Sequence, residues 1–168
     1  MTTLFAQPYD ASACGFYFDS ANDFANKSAK LKNRHGQPVE EFEIQTIDGE
    51  EIDCAMANAW DIYQNSITAF FAAVDEWDEQ QKLKFIIAVG ECGYIFDPDS
   101  DHPDQFEVDI YEMGSLTDLA EHFVDEGFYG DIPESLQFYI DYQAIARDLA
   151  VEYSELTIAG KRFVYACR

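Results

Sequence analysis

The sequence predicts an α+β fold in which two α+β ends are joined by a small helical middle. Apolar and polar residues alternate in short segments near both ends of the chain, and apolar residues follow helical spacing in the middle. Hydrophobic residues make up 48% of the 168 positions, which is enough for a packed core. We therefore divide the chain into an N-terminal α+β module at 1–61, a helical middle module at 62–103 and a C-terminal α+β module at 104–168.

Near the N-terminus, residues 4–7 and 16–19 are typical of short strands. Ser20 with Asp23 forms an Asp version of a capping box, which predicts the start of a helix that ends at about Leu31.

Residues 39–48 alternate as a half-buried strand should, and Asp48–Gly49 is typical of a hairpin turn. In residues 66–77 the apolar positions recur at helical spacing, and residues 83–89 give a second apolar segment. These patterns predict a pair of helices in the middle of the chain.

The last third returns to a strand-and-helix order. Residues 106–111 alternate as a strand, residues 115–127 and 141–153 have helical patterns, and short strands are predicted at 156–158 and 162–166.

The chain carries a formal net charge of −23, from 33 acidic and 10 basic residues. Between His35 and Ala146 there are 27 acidic residues, and the only basic ones are Lys82 and Lys84. Because like charges at this density lower the stability of the compact state, the excess calls for an explanation beyond solubility. Such a field repels nucleic acid and anionic lipid and attracts basic protein surfaces. We expect neither a nucleic-acid partner nor a membrane partner.

The four cysteines lie 40, 38 and 75 residues apart, which matches neither a zinc site nor a dense disulfide framework. No signal segment stands at the N-terminus, and no apolar run is long enough to span a bilayer. We expect a cytoplasmic protein.

No motif ties a nucleophile to a base among the three histidines and four cysteines, and no glycine-rich phosphate loop occurs. The sequence therefore predicts a protein that is not an enzyme and needs no cofactor. A small hydrolase with scattered catalytic carboxylates would require a pocket in which a carboxylate pKa is strongly raised.

A calcium site is the next alternative, because Asp97, Asp99 and Asp101 match the first three ligand positions of an EF-hand loop. Where that loop needs a Gly and a bidentate Glu, the sequence has His102 and Val108. The pattern favours a solvated loop without a metal. An acidic calcium-responsive binding module stays the alternative function.

Helical spacing directs the carboxylates of residues 115–127 to solvent. The apolar stripe contains Leu116, Leu119, Ala120, Phe123 and Val124, and the carboxylates off the stripe are Asp118, Glu121, Asp125 and Glu126. Four charges over about 12 Å of helix axis approach the spacing of phosphates along one DNA strand, about 3.4 Å. In strand 106–111, Phe106, Val108 and Ile110 alternate with Glu107, Asp109 and Tyr111. This alternation likewise predicts Glu107 and Asp109 on the outer face. Adaptation to high salt is another explanation for so many acidic residues. It would predict that they are spread evenly over the surface, whereas the basic residues of this chain are clustered.

Residues 119–149 resemble the ArdA family of antirestriction proteins. Members of that family have a Leu-Ala-rich helix ending in an acidic-Gly turn, then Gly-acid-Ile/Val-Pro, then Tyr-Ile-Asp-Tyr and an Arg-Asp-Leu helix. The matching residues are Gly127, Gly130, Asp131, Ile132, Pro133, Ser135, Leu136, Tyr139, Ile140, Asp141, Tyr142, Arg147, Asp148 and Leu149.

The resemblance implies an elongated, curved homodimer with three small modules per chain, whose carboxylates imitate the phosphates of bent DNA. The implied partner is a type I restriction–modification enzyme, chiefly its core of specificity and methyltransferase subunits. Proteins of this family are typically carried by conjugative plasmids and transposons.

On this interpretation the interaction surface consists of seventeen of the carboxylates between Asp75 and Glu134. They are Asp75, Glu76, Asp78, Glu79, Asp97, Asp99, Asp101, Asp104, Glu107, Asp109, Glu112, Asp118, Glu121, Asp125, Glu126, Asp131 and Glu134. The family motif predicts either packing inside the module or a dimer interface. Its positions are Gly127, Gly130, Ile132, Pro133, Leu136, Tyr139, Ile140, Asp141 and Tyr142.

Overall fold

The computed structural model describes all 168 residues, which form two compact units, Met1–Phe106 and Glu107–Arg168. Each unit combines helices with one three-stranded antiparallel sheet, which confirms the α+β class. The division of the chain at residues 61 and 103 stays a prediction. No helix has both the length and the apolar character that a membrane crossing requires.

The first unit contains the strands β1 (Thr3–Pro8), β2 (Phe16–Phe18) and β3 (Phe42–Asp48) and the helices α1 (Ala21–Lys30), α2 (Glu51–Trp60), α3 (Ile67–Glu76) and α4 (Glu79–Phe85). Its sheet has the order β2-β1-β3. Short 3-10 turns lie at Gln64–Ser66 and Pro103–Gln105, and a π-helical segment, Ile86–Glu91, follows α4.

The predicted start of α1 is confirmed, because the Ser20 side chain accepts a hydrogen bond from the backbone N–H of Asp23 at 3.1 Å. The predicted helix in residues 66–77 is confirmed as α3, where Ile67 and Phe70 are buried. The strand predicted at 39–48 is β3, which begins at Phe42.

The hairpin turn predicted at Asp48–Gly49 is wrong, since β3 leads directly into α2. Gly49 has φ of 156°, and a Cβ there would lie 3.0 Å from Thr2 Oγ1. The glycine therefore allows a close approach of two backbone segments without reversing the strand.

Aromatic rings fill the first unit in two groups, which are joined by Phe70 and Phe71. Under the sheet, ring centroids lie between 5.0 and 6.1 Å apart; the residues are Phe16, Phe18, Phe24 and Phe42. Among the helices, the Trp60 and Trp77 rings stack with centroids 5.8 Å apart, and Phe85 and Phe96 contact both rings.

One ion pair is buried among these helices. Lys82 Nζ on α4 lies 2.7 Å from Asp53 Oδ1 on α2, and the two side chains are only 10% and 6% exposed. Thr2 Oγ1 donates to the other carboxylate oxygen at 3.4 Å. The pair thus joins two helices to the N-terminal strand region.

The second unit contains β4 (Val108–Glu112), α5 (Leu116–Asp125), α6 (Tyr142–Leu149), β5 (Ser154–Ile158) and β6 (Lys161–Cys167). Its sheet has the order β4-β6-β5, and a 3-10 segment, Glu134–Tyr139, precedes α6. The core cluster consists of Leu119, Phe123, Tyr153, Val164 and Ala166. The predicted elements are confirmed here, although α6 ends four residues before Tyr153.

The prediction that Asp109 lies on the outer, solvent-facing side of β4 is wrong. Tyr111 lies opposite Val164 in the sheet and packs edge-on against Phe123, with ring centroids 5.7 Å apart. Asp109 shares this face and is half-buried. Alternation gives the period of a strand but does not say which face the helices cover, because Ile110 and Tyr111 both carry large apolar surfaces.

We predict that Lys82→Ala lowers the free energy of unfolding by about 3 to 5 kcal/mol, because it leaves the Asp53 carboxylate buried without its partner. Lys84→Ala is the matched control: Lys84 Nζ donates to the backbone oxygen of Asp104 at 2.9 Å in an exposed hydrogen bond. We expect a loss below about 1.5 kcal/mol there. Urea unfolding measures both values, and equal losses would contradict the structural role of the buried pair.

Candidate acidic interaction surface

Of the seventeen predicted surface carboxylates, fifteen are exposed, and Asp101 and Asp109 are half-buried. The exposed set includes residues on helices, on β4 and in loops of both units. Backbone structure therefore directs most of the negative charge to solvent, as the sequence pattern predicts.

In the first unit, four carboxylates lie where α3 ends and α4 begins. Asp75 and Glu76 are the last residues of α3. Asp78 is the N-cap of α4 and accepts a hydrogen bond from the backbone N–H of Gln81 at 2.8 Å, and Glu79 follows it. Asp78 therefore has a local structural role in addition to its charge.

The loop at residues 97–104 uses two of its carboxylates to hold its own backbone. Asp97 accepts a hydrogen bond from the N–H of Asp99 at 3.0 Å, and Asp101 accepts one from the N–H of Asp97 at 2.8 Å. No group of three or more metal-ligating side chains is found in the structure. The loop geometry thus gives no support to the calcium-responsive alternative.

In the second unit, α5 presents a row of carboxylates. Asp118, Glu121 and Asp125 are spaced i, i+3, i+7, and so they lie on one side of the helix. They are separated by about 4.5 and 6 Å along the axis. Leu119, Ala120 and Phe123 are buried on the other side.

Four of the exposed carboxylates occupy helix C-terminal ends, where the helix dipole disfavours negative charge. They are Asp75 and Glu76 on α3, and Asp125 and Glu126 at the end of α5. Each such placement costs roughly 0.3 to 1 kcal/mol when exposed. The stability of the two helices therefore does not explain why these residues are acidic.

Asp109 differs from the other members of the predicted surface. Arg168 Nε donates to its carboxylate at 2.7 Å, and the same guanidinium donates to the Tyr153 hydroxyl at 3.0 Å. The hydrogen bond to Asp109 raises the pKa of Arg168. The guanidinium therefore stays charged and offsets the field of Asp109.

The motif glycines terminate α5. The N–H of Phe128 bonds to the Phe123 carbonyl and the N–H of Gly127 to that of Val124, which is a Schellman arrangement. Gly127 has φ of 78° in the left-handed region, and the Phe128 ring stacks on Phe123 with centroids 4.5 Å apart. Gly130, with φ of 85°, makes a further turn.

The rest of the motif leads into α6. Asp141 is the N-cap of that helix and accepts from the N–H of Ala144 at 3.0 Å. Ile132, Ile140 and Tyr142 are half-buried, and Pro133 is exposed.

Large apolar side chains of this segment are exposed. Tyr139 is 83% exposed and Leu136 is 52% exposed. Phe138, which the motif did not single out, is 95% exposed. The exposure of Phe138 could not be predicted from sequence periodicity, because the surrounding 3-10 segment has no buried residue that would define a buried side and an exposed side.

The fold and the surface define an acidic α+β protein. A family model described as antirestriction protein (ArdA) matches residues 13–161, so the chain belongs to the ArdA family. This confirms the resemblance seen at residues 119–149. Membership assigns the chain an antirestriction function and restriction enzymes as its partners. A search of curated proteins finds no matching sequence.

We predict that Glu121→Gln changes the free energy of unfolding by less than about 0.5 kcal/mol, because its carboxylate is exposed and supports no neighbour. Ser115→Ala in the same helix provides the comparison, since Ser115 caps α5 through a 3.2 Å hydrogen bond from the N–H of Asp118. We expect a loss of about 1 kcal/mol there. Chemical denaturation distinguishes the two, and a large loss for Glu121→Gln would mean that the carboxylate is structural.

Proposed function

We propose that this protein is a DNA mimic that inhibits type I restriction–modification enzymes by occupying their DNA-binding groove. The observation that carries the proposal is the outward presentation of carboxylates on rigid elements, including helix C-terminal ends where they oppose the dipole. Membership of the ArdA family also supports the proposal of DNA mimicry, because restriction enzymes must bind DNA before they act on it.

The spacing of the carboxylates suits a phosphate-binding groove. The row on α5 has a charge every 4.5 to 6 Å, roughly, against about 3.4 Å per phosphate along one DNA strand. A groove lined by Lys and Arg would attract this row through the same long-range term that dominates its affinity for DNA. Recognition needs no base edges and no chemistry on the inhibitor. The protein competes by occupancy.

The surface has few cations that could weaken this field. Lys82, one of the two basic residues between His35 and Ala146, is buried against Asp53, and Lys84 donates to a backbone carbonyl. The core of specificity and methyltransferase subunits is the proposed target, because it contains the DNA-binding groove.

We further propose that two chains form a homodimer through the apolar surface of residues 128–139. Its exposed members are Phe128, Tyr129, Leu136, Phe138 and Tyr139. Exposed aromatic residues concentrated in one short segment are typical of protein interfaces. A dimer would carry twice the net charge of −23 and so a longer mimic of the DNA strand.

The decisive experiment is competition on labelled target DNA bound to a type I modification core, titrated with this protein at 50 and 200 mM salt. We expect near-stoichiometric displacement at low salt and an inhibition constant, corrected for the DNA affinity at each salt, that weakens at least about tenfold at high salt.

Charge substitutions on α5 test whether the surface acts as a distributed charge. Asp125→Asn alone should weaken inhibition by less than about threefold, and neutralisation of all four carboxylates at 118, 121, 125 and 126 by about tenfold or more. A single charge-neutralising substitution that abolished inhibition, with fold and dimer intact, would contradict the distributed mimic.

For the dimer, we predict that the double substitution Phe138→Asp and Tyr139→Asp yields a monomer at micromolar concentration, where the unchanged protein is a dimer, because it places two charges in the apolar surface. Ile95→Asp is the control, since Ile95 is 90% exposed in the other unit. Sedimentation velocity measures the oligomeric state. A dimer that persists in the double variant would exclude this surface as the interface.

A further inference from the structure

A recess in the first unit combines two exposed tyrosine rings with carboxylates. It has a volume of about 310 Å³ and is lined by Tyr9, Glu41, Phe42, Tyr63, Gln64 and Asn65. A neighbouring recess of about 250 Å³ shares Tyr9 and Glu41 and continues past Asp10 and Glu40. The Tyr9 and Tyr63 rings are 68% and 60% exposed.

The walls of the recess are held by hydrogen bonds. Gln64 donates to the Glu40 carbonyl at 2.7 Å and accepts from the N–H of Phe42 at 3.0 Å, which ties the start of β3 to the turn that carries Tyr63. The N–H of Tyr9 donates to the Glu41 carbonyl at 3.2 Å. The two rings therefore project from fixed backbone.

One carboxylate of the neighbouring recess, that of Asp10, is also held in place. Asn33 Nδ2 donates to the Asp10 carboxylate at 2.9 Å, and Ser12 donates to it through its backbone N–H and its hydroxyl at 2.8 and 2.7 Å. These hydrogen bonds, that of Asn33 first, lower the pKa of Asp10. The carboxylates of Glu40 and Glu41 are exposed.

We infer that this recess binds an arginine side chain of the basic partner, with the guanidinium against the tyrosine rings and its N–H groups directed at the rim carboxylates. Tyrosine faces attract cations, and the planar guanidinium stacks on them better than an ammonium group does. A guanidinium also offers five donors, which suits several carboxylates around one pocket. None of the carboxylates assigned to the DNA-mimic surface lies here, so the recess adds an anchor based on rings to a surface based on charge.

This inference rests on the proposed function for the identity of the partner, but arginine binding can be tested without that partner. The probe is N-acetyl-arginine amide, titrated into the ¹⁵N-labelled full chain and compared with NaCl and with N-acetyl-lysine amide at equal concentration. We expect saturable millimolar shifts at the amides of Tyr9, Glu41 and Gln64 that NaCl does not reproduce.

Substitutions identify the rings as the cause. The double variant Tyr9→Leu and Tyr63→Leu should bind the arginine amide at least about fivefold more weakly. Tyr63→Phe, which keeps the ring, and Tyr17→Leu, whose ring is 58% exposed outside the recess, should bind as the unchanged protein does. Shifts equal to those of NaCl, equal binding of the lysine amide, or unchanged binding by the double variant would each overturn the inference.

The competition assay separates this inference from the proposed function. If Tyr63→Leu weakens inhibition about fivefold at both salt concentrations while Tyr17→Leu does not, the recess contacts the enzyme through its ring. If the unchanged protein displaces DNA, and Tyr63→Leu and Tyr17→Leu both inhibit as strongly as it does, the inference about the recess fails and the proposed DNA mimicry stands. If the arginine amide binds but the unchanged protein displaces no DNA, the proposed target fails and the arginine site stands.

Discussion

Burial of aromatic and aliphatic side chains holds each unit together against the repulsion among its own carboxylates. With a net charge of −23, the folded chain brings like charges closer together than the unfolded chain does. The aromatic groups under the first sheet and among its helices, and the cluster around Phe123 in the second unit, supply the opposing apolar burial. The acidic surface depends on this balance, because a carboxylate is held at a defined position only where the backbone beneath it is folded.

Two cations of the chain have roles that are consistent with that balance. Lys82 is buried against Asp53, where it supports the packing of α2 on α4, and Arg168 joins Asp109 to Tyr153 at the edge of the second sheet. In both places a positive charge stabilises the fold and takes little from the exposed acidic faces. Most of the carboxylates on those faces are thereby left to act on a partner.

Three parts of the surface differ in the interactions that they can make. The row on α5 offers charge at a regular spacing, the segment at 128–139 offers apolar rings, and the recess at Tyr9 and Tyr63 offers rings beside carboxylates. Charge acts over a distance and depends on salt, whereas ring contacts act at short range and depend on shape. An inhibitor that combines them gains fast association from the first and residence time from the second.

Much of the fold could be predicted from local pattern. Amphipathic spacing in residues 115–127 is enough to form α5 and to turn Asp118, Glu121 and Asp125 away from the core, and Ser20 with Asp23 is enough to begin α1. Each of these outcomes depends on residues a few positions apart.

The sequence by itself thus determined the α+β class, most of the elements, the outward direction of most carboxylates and, through residues 119–149, the ArdA family. Only the tertiary structure decided that Tyr111 faces the core, that Gly49 marks a close approach to Thr2, and that Asp53 and Lys82 form a buried pair. It alone also brought Tyr9 and Tyr63 to one recess. The reason is physical: local pattern fixes the period of an element, whereas the neighbours of each face come from segments tens of residues away, and their packing sets which side chains are covered.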